Sequence, residues 1–203
     1  MTIIIQANTL TLQDVKEQFS LQKIDDEDFF PEWQYNLPQV TKAEKEWLDR
    51  VKADFLSLEE YPFHEEIVKL AVLSPLLSLA GFFRHPFHLD AEVIVEAEDE
   101  GKMVRGSIDV LILRQDFWVT LIEAKNQQFS LVKALPQALF YMLKNPHPEK
   151  PTFGLMTNGS HFTFIKLTRQ DTPKYGLSEE FSLYRRGNEL YRVLSILRRF
   201  ADL

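Results

Sequence analysis

The amino-acid sequence predicts an α/β (α+β) domain in which helices flank a central sheet. Three observations predict it: helical periodicity in the segments before residue 82, consecutive strand-like segments between residues 89 and 125, and a further helix followed by two more strands after residue 130. The predicted order is therefore helix, three strands, helix and two strands, closed by a last amphipathic helix.

The N-terminal part is predicted to be acidic and mainly helical. Residues 2–5 are a candidate strand, and Thr11 is a candidate helix cap. A capping box at residues 41–44 opens a helix that runs to about Leu58. We expect its core-facing residues to be Trp47, Val51, Phe55 and Leu58. Residues 1–60 are predicted to form an extension that packs on a main domain of residues 61–203.

A second helix is predicted from about His64 to Gly81, interrupted at Pro75. Its first turn carries Glu65 and Glu66. Acidic residues favour a helix N-terminus through the helix dipole, which explains both without any function. The alternative, which stays open here, is that one of them faces a site on the sheet.

The next three segments are predicted to be a meander of strands, at residues 89–98, 106–113 and 117–125. Side chains alternate along a strand, so Glu123 and Lys125 share one face, while Asp109 lies on the neighbouring strand. Charges in apolar strands are costly unless they are paired or bind a metal. Two carboxylates and a lysine are a plausible seat for Mg²⁺. The alternative is a charge pair at a strand edge, with Asp109 at a bulge or strand end.

The remaining elements follow the same periodicities. Ser130 is a candidate cap of a helix to about Lys144, on which Gln137 and Tyr141 share a face. Buried strands are predicted at residues 153–156 and 161–167 around an Asn-Gly turn. A polar loop is expected next, and then a helix from about Asn188 with its arginines outward. The histidines around Pro86 lack the spacing of metal ligands.

Composition excludes several classes of protein. The 203 residues are 45% hydrophobic and 26% charged and contain no cysteine, which excludes disulfides and thiol catalysis and suits a reducing cytoplasm. No leader and no membrane span is expected. The net charge of −7 argues against a general DNA-coating protein. Residues 1–100 hold 8 basic and 21 acidic residues, whereas residues 101–203 hold 15 and 9, so the predicted trio lies in the basic half.

Four stretches resemble the PD-(D/E)xK nuclease superfamily: GSIDVLIL, LIEAK, PQALFYML and GLMTNGSHFTFIKL. More narrowly, they resemble the N-terminal nuclease domain of type I restriction enzyme R subunits, over roughly residues 60–170. The resemblance implies a restriction-endonuclease-like core, with a mixed central sheet in αβββαβ order. Ser107 stands where the superfamily name has a proline, a position that is commonly degenerate.

The resemblance also implies a role for each matching residue. Asp109 and Glu123 would hold Mg²⁺ or Mn²⁺, together with the backbone carbonyl of Ala124. Lys125 would orient or help deprotonate the attacking water and stabilise charge on the phosphate.

Supporting roles are implied on the two helices. Gln137 would place Lys125 or the substrate, and Tyr141 would brace its helix or touch a backbone phosphate. Glu66, or with less preference Glu65, would match the acidic residue that some members carry on the first helix.

The expected function is a Mg²⁺-dependent DNA endonuclease. RNA as substrate, or another Mg²⁺-dependent phosphoryl enzyme, stays open. The alternative is a catalytically silent or partner-dependent binding module on the same fold, with the acidic half engaging a protein. R subunits carry a helicase motor, but this chain has neither a GxxxxGK[ST] loop nor a helix-turn-helix. We therefore expect a stand-alone domain that acts alone, as a homodimer that cuts both strands, or with separately encoded restriction-modification subunits.

Overall fold

The computed structural model describes residues 3–61, 64–99, 102–114, 117–124 and 130–203. These residues form a mixed α/β structure in which one eight-stranded sheet is flanked by helices. The strands are β1 (Ile3–Gln6), β2 (Gln22–Lys23), β3 (Phe87–Asp99), β4 (Lys102–Arg114), β5 (Phe117–Ala124), β6 (Thr152–Thr157), β7 (His161–Thr168) and β8 (Lys174–Ser182). The helices are α1 (Leu12–Phe19), α2 (Lys42–Leu58), α3 (Glu65–Val68), α4 (Ser74–Ala80), α5 (Leu131–Leu143) and α6 (Leu190–Ala201).

The sheet is mixed, with the order β1-β4-β5-β6-β7-β8-β2 and with β3 paired to β4. Strands β3, β4 and β5 form the predicted antiparallel meander, and β5 then pairs in parallel with β6. Strand β3 follows β4 along its whole length, so β1 and β5 share the other edge of β4. β1 pairs with residues 102–105 of β4 and β5 with residues 110–114, which leaves Gly106–Asp109 between the two partners.

A hydrophobic core lies on each face of the sheet. On one face, α2, α4 and α6 cover inward residues of the central strands, including Ile112, Ile122 and Phe164. On the other face, α1 and α5 cover a second set, including Ile108, Leu111 and Met156. Because both faces are covered, β6 is buried throughout, as the continuous apolar segment at residues 153–156 predicts.

The predicted helix starts in the N-terminal part are confirmed. Thr11 and Thr41 each form a capping box with the acidic residue three positions on. The predicted core face of α2 is partly wrong. Trp47 is 53% and Leu58 40% exposed, and the buried residues are Leu48, Val51 and Phe55. The reason is the phase of the helix: successive residues are about 100° apart, so choosing Trp47 instead of Leu48 rotates the predicted stripe off the core.

The N-terminal segment also contributes two strands to the sheet. The strand predicted at residues 2–5 is present as β1, and the short strand β2 was not predicted. Since β1 and β2 stand at the two ends of the strand order and α2 joins one core, residues before 60 contribute to the same sheet and core as those after it. The domain boundary near residue 60 stays a prediction.

The prediction of a polar loop after β7 is wrong, because residues 174–182 form strand β8. Its ends are buried through Tyr175 and Phe181, but its middle is polar and lacks the continuous alternation that predicts a strand. The arginines of α6 were expected to point outward. Arg198 is instead half-buried, with its guanidinium on Glu44 of α2 and on the carbonyl of Leu79.

The helix predicted from about residue 64 to Gly81 is present with an unusual middle. A π-helical turn, Lys69–Leu73, joins α3 to α4. Pro75 lies in the first turn of α4, immediately after the π turn, and Gly81 ends the helix at φ 90°. Among the residues that the structure describes, no helix is long and apolar enough to cross a membrane.

Candidate active site

The two predicted carboxylates lie on neighbouring strands. Val110 of β4 pairs with Ile122 of β5. Because the strands are antiparallel, the next position of the pair is occupied by Asp109, which precedes Val110, and by Glu123, which follows Ile122. Ile122 faces the core under α2, α4 and α6, so Glu123 beside it faces α5. Asp109 is 7% exposed and Glu123 is fully buried. The fold therefore brings together two buried acidic residues that are 14 positions apart in the sequence.

The backbone is distorted opposite Asp109. The pairs Ala91–Val110 and Val93–Ile108 share one register, but Glu92 between them has a φ of 53°. A positive φ is uncommon for residues other than glycine and is frequent at functional sites. The structure therefore agrees with the interpretation that Asp109 marks an irregular point of the sheet. Asp109 is also buried beside a second carboxylate, Glu123.

Lys69 joins this site although the sequence analysis did not single it out. Its ammonium nitrogen lies 3.2 Å from Asp109 Oδ1, 3.1 Å from Glu92 Oε1 and 3.3 Å from Glu65 Oε1. Burial lowers the pKa of Lys69, but the charge of Asp109 and the hydrogen bonds with Glu92 and Asp109 outweigh it and raise the pKa above its ordinary value. Lys69 is therefore a permanent positive charge at the edge of the carboxylate pair.

A signal for part of this cluster was present in the sequence. Glu65 and Lys69 are four residues apart on a helix, a spacing that pairs opposite charges. The contact to Asp109 spans 40 positions and has no local signal. Of the two acidic residues in the first turn of α3, Glu65 contacts Lys69, whereas Glu66 is exposed. The geometry thus favours Glu65 over the preferred Glu66 as the acidic residue near the site.

The two α5 residues contact each other beneath the carboxylates. Gln137 Nε2 donates a hydrogen bond of 3.0 Å to the hydroxyl of Tyr141, which also accepts one from the backbone N–H of Ser107. Tyr141 is fully buried. Burial, and then the charges of Glu123 and Asp109, raise its pKa.

Tyr141 packs closely against β4. Its hydroxyl fills the space beside the part of β4 that lies between β1 and β5, and Gly106 allows this approach because it has no side chain. The phenol is fully buried between α5 and β4, and its role in a site stays a prediction.

The catalytic lysine of the predicted trio, Lys125, lies outside the described residues. Ala124, whose carbonyl is the third expected metal ligand, is the last described residue of β5 and pairs with Thr157 of β6. The roles of both residues stay predictions.

The donors present suit a hard divalent cation. Within the described ranges, no group of three or more His, Cys, Asp or Glu side chains is arranged to hold a metal ion. Mg²⁺ does not require such a group, because one or two carboxylates commonly bind it and waters or substrate phosphates complete its shell. Asp109 and Glu123 therefore fit Mg²⁺ or Mn²⁺ in donor type and number.

No family model and no curated protein matches this chain. Among solved structures, it is similar to a fragment of a putative HsdR subunit of a type I restriction enzyme from Vibrio vulnificus YJ016. The identity is 19% and the TM-score 0.41, over 60% of this chain and 24% of that one. The chain thus spans about a quarter of that structure, and a likeness this low carries no conclusion about fold or activity.

Proposed function

We propose that this protein is a metal-dependent deoxyribonuclease of the PD-(D/E)xK kind that hydrolyses phosphodiester bonds in DNA. The observation that carries the proposal is the meeting of Asp109 and Glu123, both buried, on one face of neighbouring strands. Together with Lys125, these are the positions at which the sequence resembles the nuclease motif. Keeping two like charges in a buried place costs free energy, and a divalent cation bound by both carboxylates would offset that cost.

The proposed chemistry divides between the cation and the chain. Asp109 and Glu123 would hold Mg²⁺ or Mn²⁺, which when bound would supply Lewis acidity and lower the pKa of a bound water. Lys125 is proposed to stabilise the negative charge that develops on the phosphate. Gln137 and Tyr141 hold α5 against β4 and thereby keep the carboxylate face in place.

The charge balance of the second half of the chain is compatible with a polyanionic substrate. The half of the chain from residue 101 onward, which contains Asp109 and Glu123, has 15 basic and 9 acidic residues. Basic surface attracts the phosphate backbone independently of sequence. Cutting both strands of a duplex usually needs two active sites, which is the reason for the prediction of a homodimer or of a separately encoded partner subunit.

One observation favours the alternative function, a binding module without catalysis. The ammonium of Lys69 already lies on Asp109, one of the two carboxylates that a metal would need. A site permanently closed by this ion pair would bind no divalent cation, and the fold would then serve DNA or a protein partner as a rigid surface.

The test is cleavage of supercoiled plasmid and of single-stranded DNA with Mg²⁺, Mn²⁺ or EDTA. We expect metal-dependent cutting that falls by about 100-fold or more in Asp109→Asn and Lys125→Ala, a typical loss when one charge-stabilising group is removed. Asp90→Asn is the matched control, since Asp90 is an exposed residue of β3 that contacts His88. It should cut like the wild type.

Two results would oppose the proposal. Cutting that survives in EDTA, or in both site variants, would place the activity elsewhere. Absence of cutting with either metal, by a protein whose circular dichroism and cooperative unfolding show that it is folded, would favour the binding module.

A further inference from the structure

The ammonium group of Lys69 contacts carboxylates from three different elements. Lys69 stands at the start of the π turn and contacts Glu65 of α3, Glu92 of β3 and Asp109 of β4, at 3.3, 3.1 and 3.2 Å. Its side chain is 22% exposed, so the contacts lie in a partly desolvated place, where charge interactions are stronger than at an open surface.

Local departures from regular geometry meet at this ammonium. The π turn begins at Lys69 itself, and π turns inside helices occur frequently at functional sites. Glu92 adopts a left-handed backbone inside a strand, and its other oxygen accepts a hydrogen bond of 3.3 Å from Ser107 Oγ. The residue opposite it in the sheet is Asp109. Helix and strand are both distorted where they contribute to the same cluster.

The electrostatic reason for the cluster lies in the carboxylate pair. Asp109 and Glu123 are like charges in a buried place, and each raises the energy of the other when both are ionised. The ammonium of Lys69 offsets this repulsion when no other cation is bound. A divalent cation at Asp109 would compete for the charge of the same carboxylate.

We propose that Lys69 is a positioning residue. Its ammonium holds Asp109 as long as no divalent cation is bound. When a divalent cation binds Asp109, the ammonium leaves that carboxylate and stays on Glu65 and Glu92. The inference rests on the proposed function in so far as a divalent cation binds Asp109. It explains how the ion pair with Lys69 and a metal site coexist at one carboxylate, because the two cations exchange.

The first experiment measures Mn²⁺ binding by calorimetry, together with thermal unfolding in EDTA and in saturating Mn²⁺. Lys69→Met should be less stable than the wild type in EDTA, should bind Mn²⁺ about tenfold or more tightly, and should gain more in Tm from the metal. An equal or weaker affinity for Mn²⁺ would overturn the proposal, because a purely structural lysine competes with nothing.

Lys166→Met is the matched control. Lys166 forms a similarly buried ion pair, 2.6 Å from Glu32, and both partners belong to elements other than those that form the cluster. This variant should lose stability in EDTA but keep the Mn²⁺ affinity of the wild type. Lys69→Arg keeps the charge and should restore an affinity near that of the wild type. An arginine variant that binds Mn²⁺ as tightly as Lys69→Met would refute a role for the charge.

A second variant keeps the proposal testable if Lys69→Met does not fold. The side chain of Glu92 is 66% exposed, so Glu92→Gln should be tolerated. It removes one carboxylate that retains the ammonium, and Mn²⁺ should bind severalfold more weakly. The effect should be smaller when Lys69 is methionine. An effect of equal size in both backgrounds would contradict the exchange.

The outcomes separate this inference from the proposed function. If the protein cuts DNA in a metal-dependent way but the Mn²⁺ affinity of Lys69→Met equals that of the wild type, the inference alone is overturned. A wild-type protein that binds no Mn²⁺ and cuts no DNA would overturn both. Tighter binding in Lys69→Met, without DNA cleavage by any variant, would support the inference and oppose the nuclease.

Discussion

Gly106→Ala provides a sharp test of how α5 is seated against the sheet. A Cβ at this position would lie 2.1 Å from the hydroxyl oxygen of Tyr141, 2.9 Å from its Cζ and 2.7 Å from the Cβ of Ala7. Atoms cannot remain at such distances, so the tyrosine ring, the helix or β1 must move. Because Tyr141 is fully buried, its ring has no solvent-filled space to enter.

The magnitude follows from two contributions. Forcing extra atoms into a packed core costs about 1–3 kcal/mol. The displaced phenol also loses its hydrogen bonds with Gln137 and with the backbone of Ser107, at about 1 kcal/mol each. We expect a total of about 3–5 kcal/mol, which corresponds to a fall in Tm of about 6–20 °C for a chain of this length.

The assay is urea denaturation of four proteins: the wild type, Gly106→Ala, Tyr141→Phe and the double variant. Tyr141→Phe removes the oxygen that makes the shortest contact and both of its hydrogen bonds, so the alanine should cost about 2 kcal/mol less in the phenylalanine background. Gly187→Ala is the matched control, since a Cβ there meets nothing within 4 Å, and it should stay within about 0.5 kcal/mol of the wild type.

A Gly106→Ala protein as stable as the control would refute the close approach of Tyr141 to β4. A cost that is identical in both backgrounds would show that the clash involves Ala7 rather than the phenol.

Two further predictions concern α2. Phe55→Ala should destabilise the protein by about 3–5 kcal/mol in urea denaturation, because Phe55 is fully buried. Trp47→Ala should cost less than about 1 kcal/mol, because Trp47 is 53% exposed. A larger loss for Trp47→Ala than for Phe55→Ala would contradict the observed phase of the helix. The hydrogen bonds from Arg198 lower the pKa of Glu44 from its ordinary value of 4.5 to about 2. The unfolded chain therefore binds this proton first, so the pair contributes its full stability above pH 4.5 and loses it as the pH falls towards 2. The stability difference between the wild type and Arg198→Met should shrink over that range in denaturation measured at several pH values, and a difference that does not change with pH would exclude the pair as its cause.

Much of the fold follows from local patterns in the sequence. Capping boxes at Thr11 and Thr41 mark helix starts because they use only side chains and backbone within one turn. The meander from β3 to β5 follows from alternation and short connections, and Gly81 and Gly159 mark backbone turns with a positive φ. These signals depend on neighbours in the chain, and for this reason the sequence reveals them.

The candidate site was also partly predictable. Asp109 and Glu123 stand out because charges in apolar strands need a reason, and period 2 with a hairpin places them on adjacent strands. Gln137 and Tyr141 share a helix face by spacing, and their hydrogen bond is observed. The catalytic role of these residues stays a prediction.

What only the tertiary structure decided depends on distant partners. Strand β8 has a polar middle, and it is a strand because β7 and β2 pair with it. Lys69 is an ordinary helical lysine in the sequence, and its place beside Asp109 arises from the packing of a helix against a distorted strand 40 residues away. Composition and periodicity thus determined the type and order of the elements, because those depend on local geometry. The closing of the charge cluster required the fold, because the contacts of Lys69 with Glu92 and Asp109 span 23 and 40 positions and leave no local pattern along the chain.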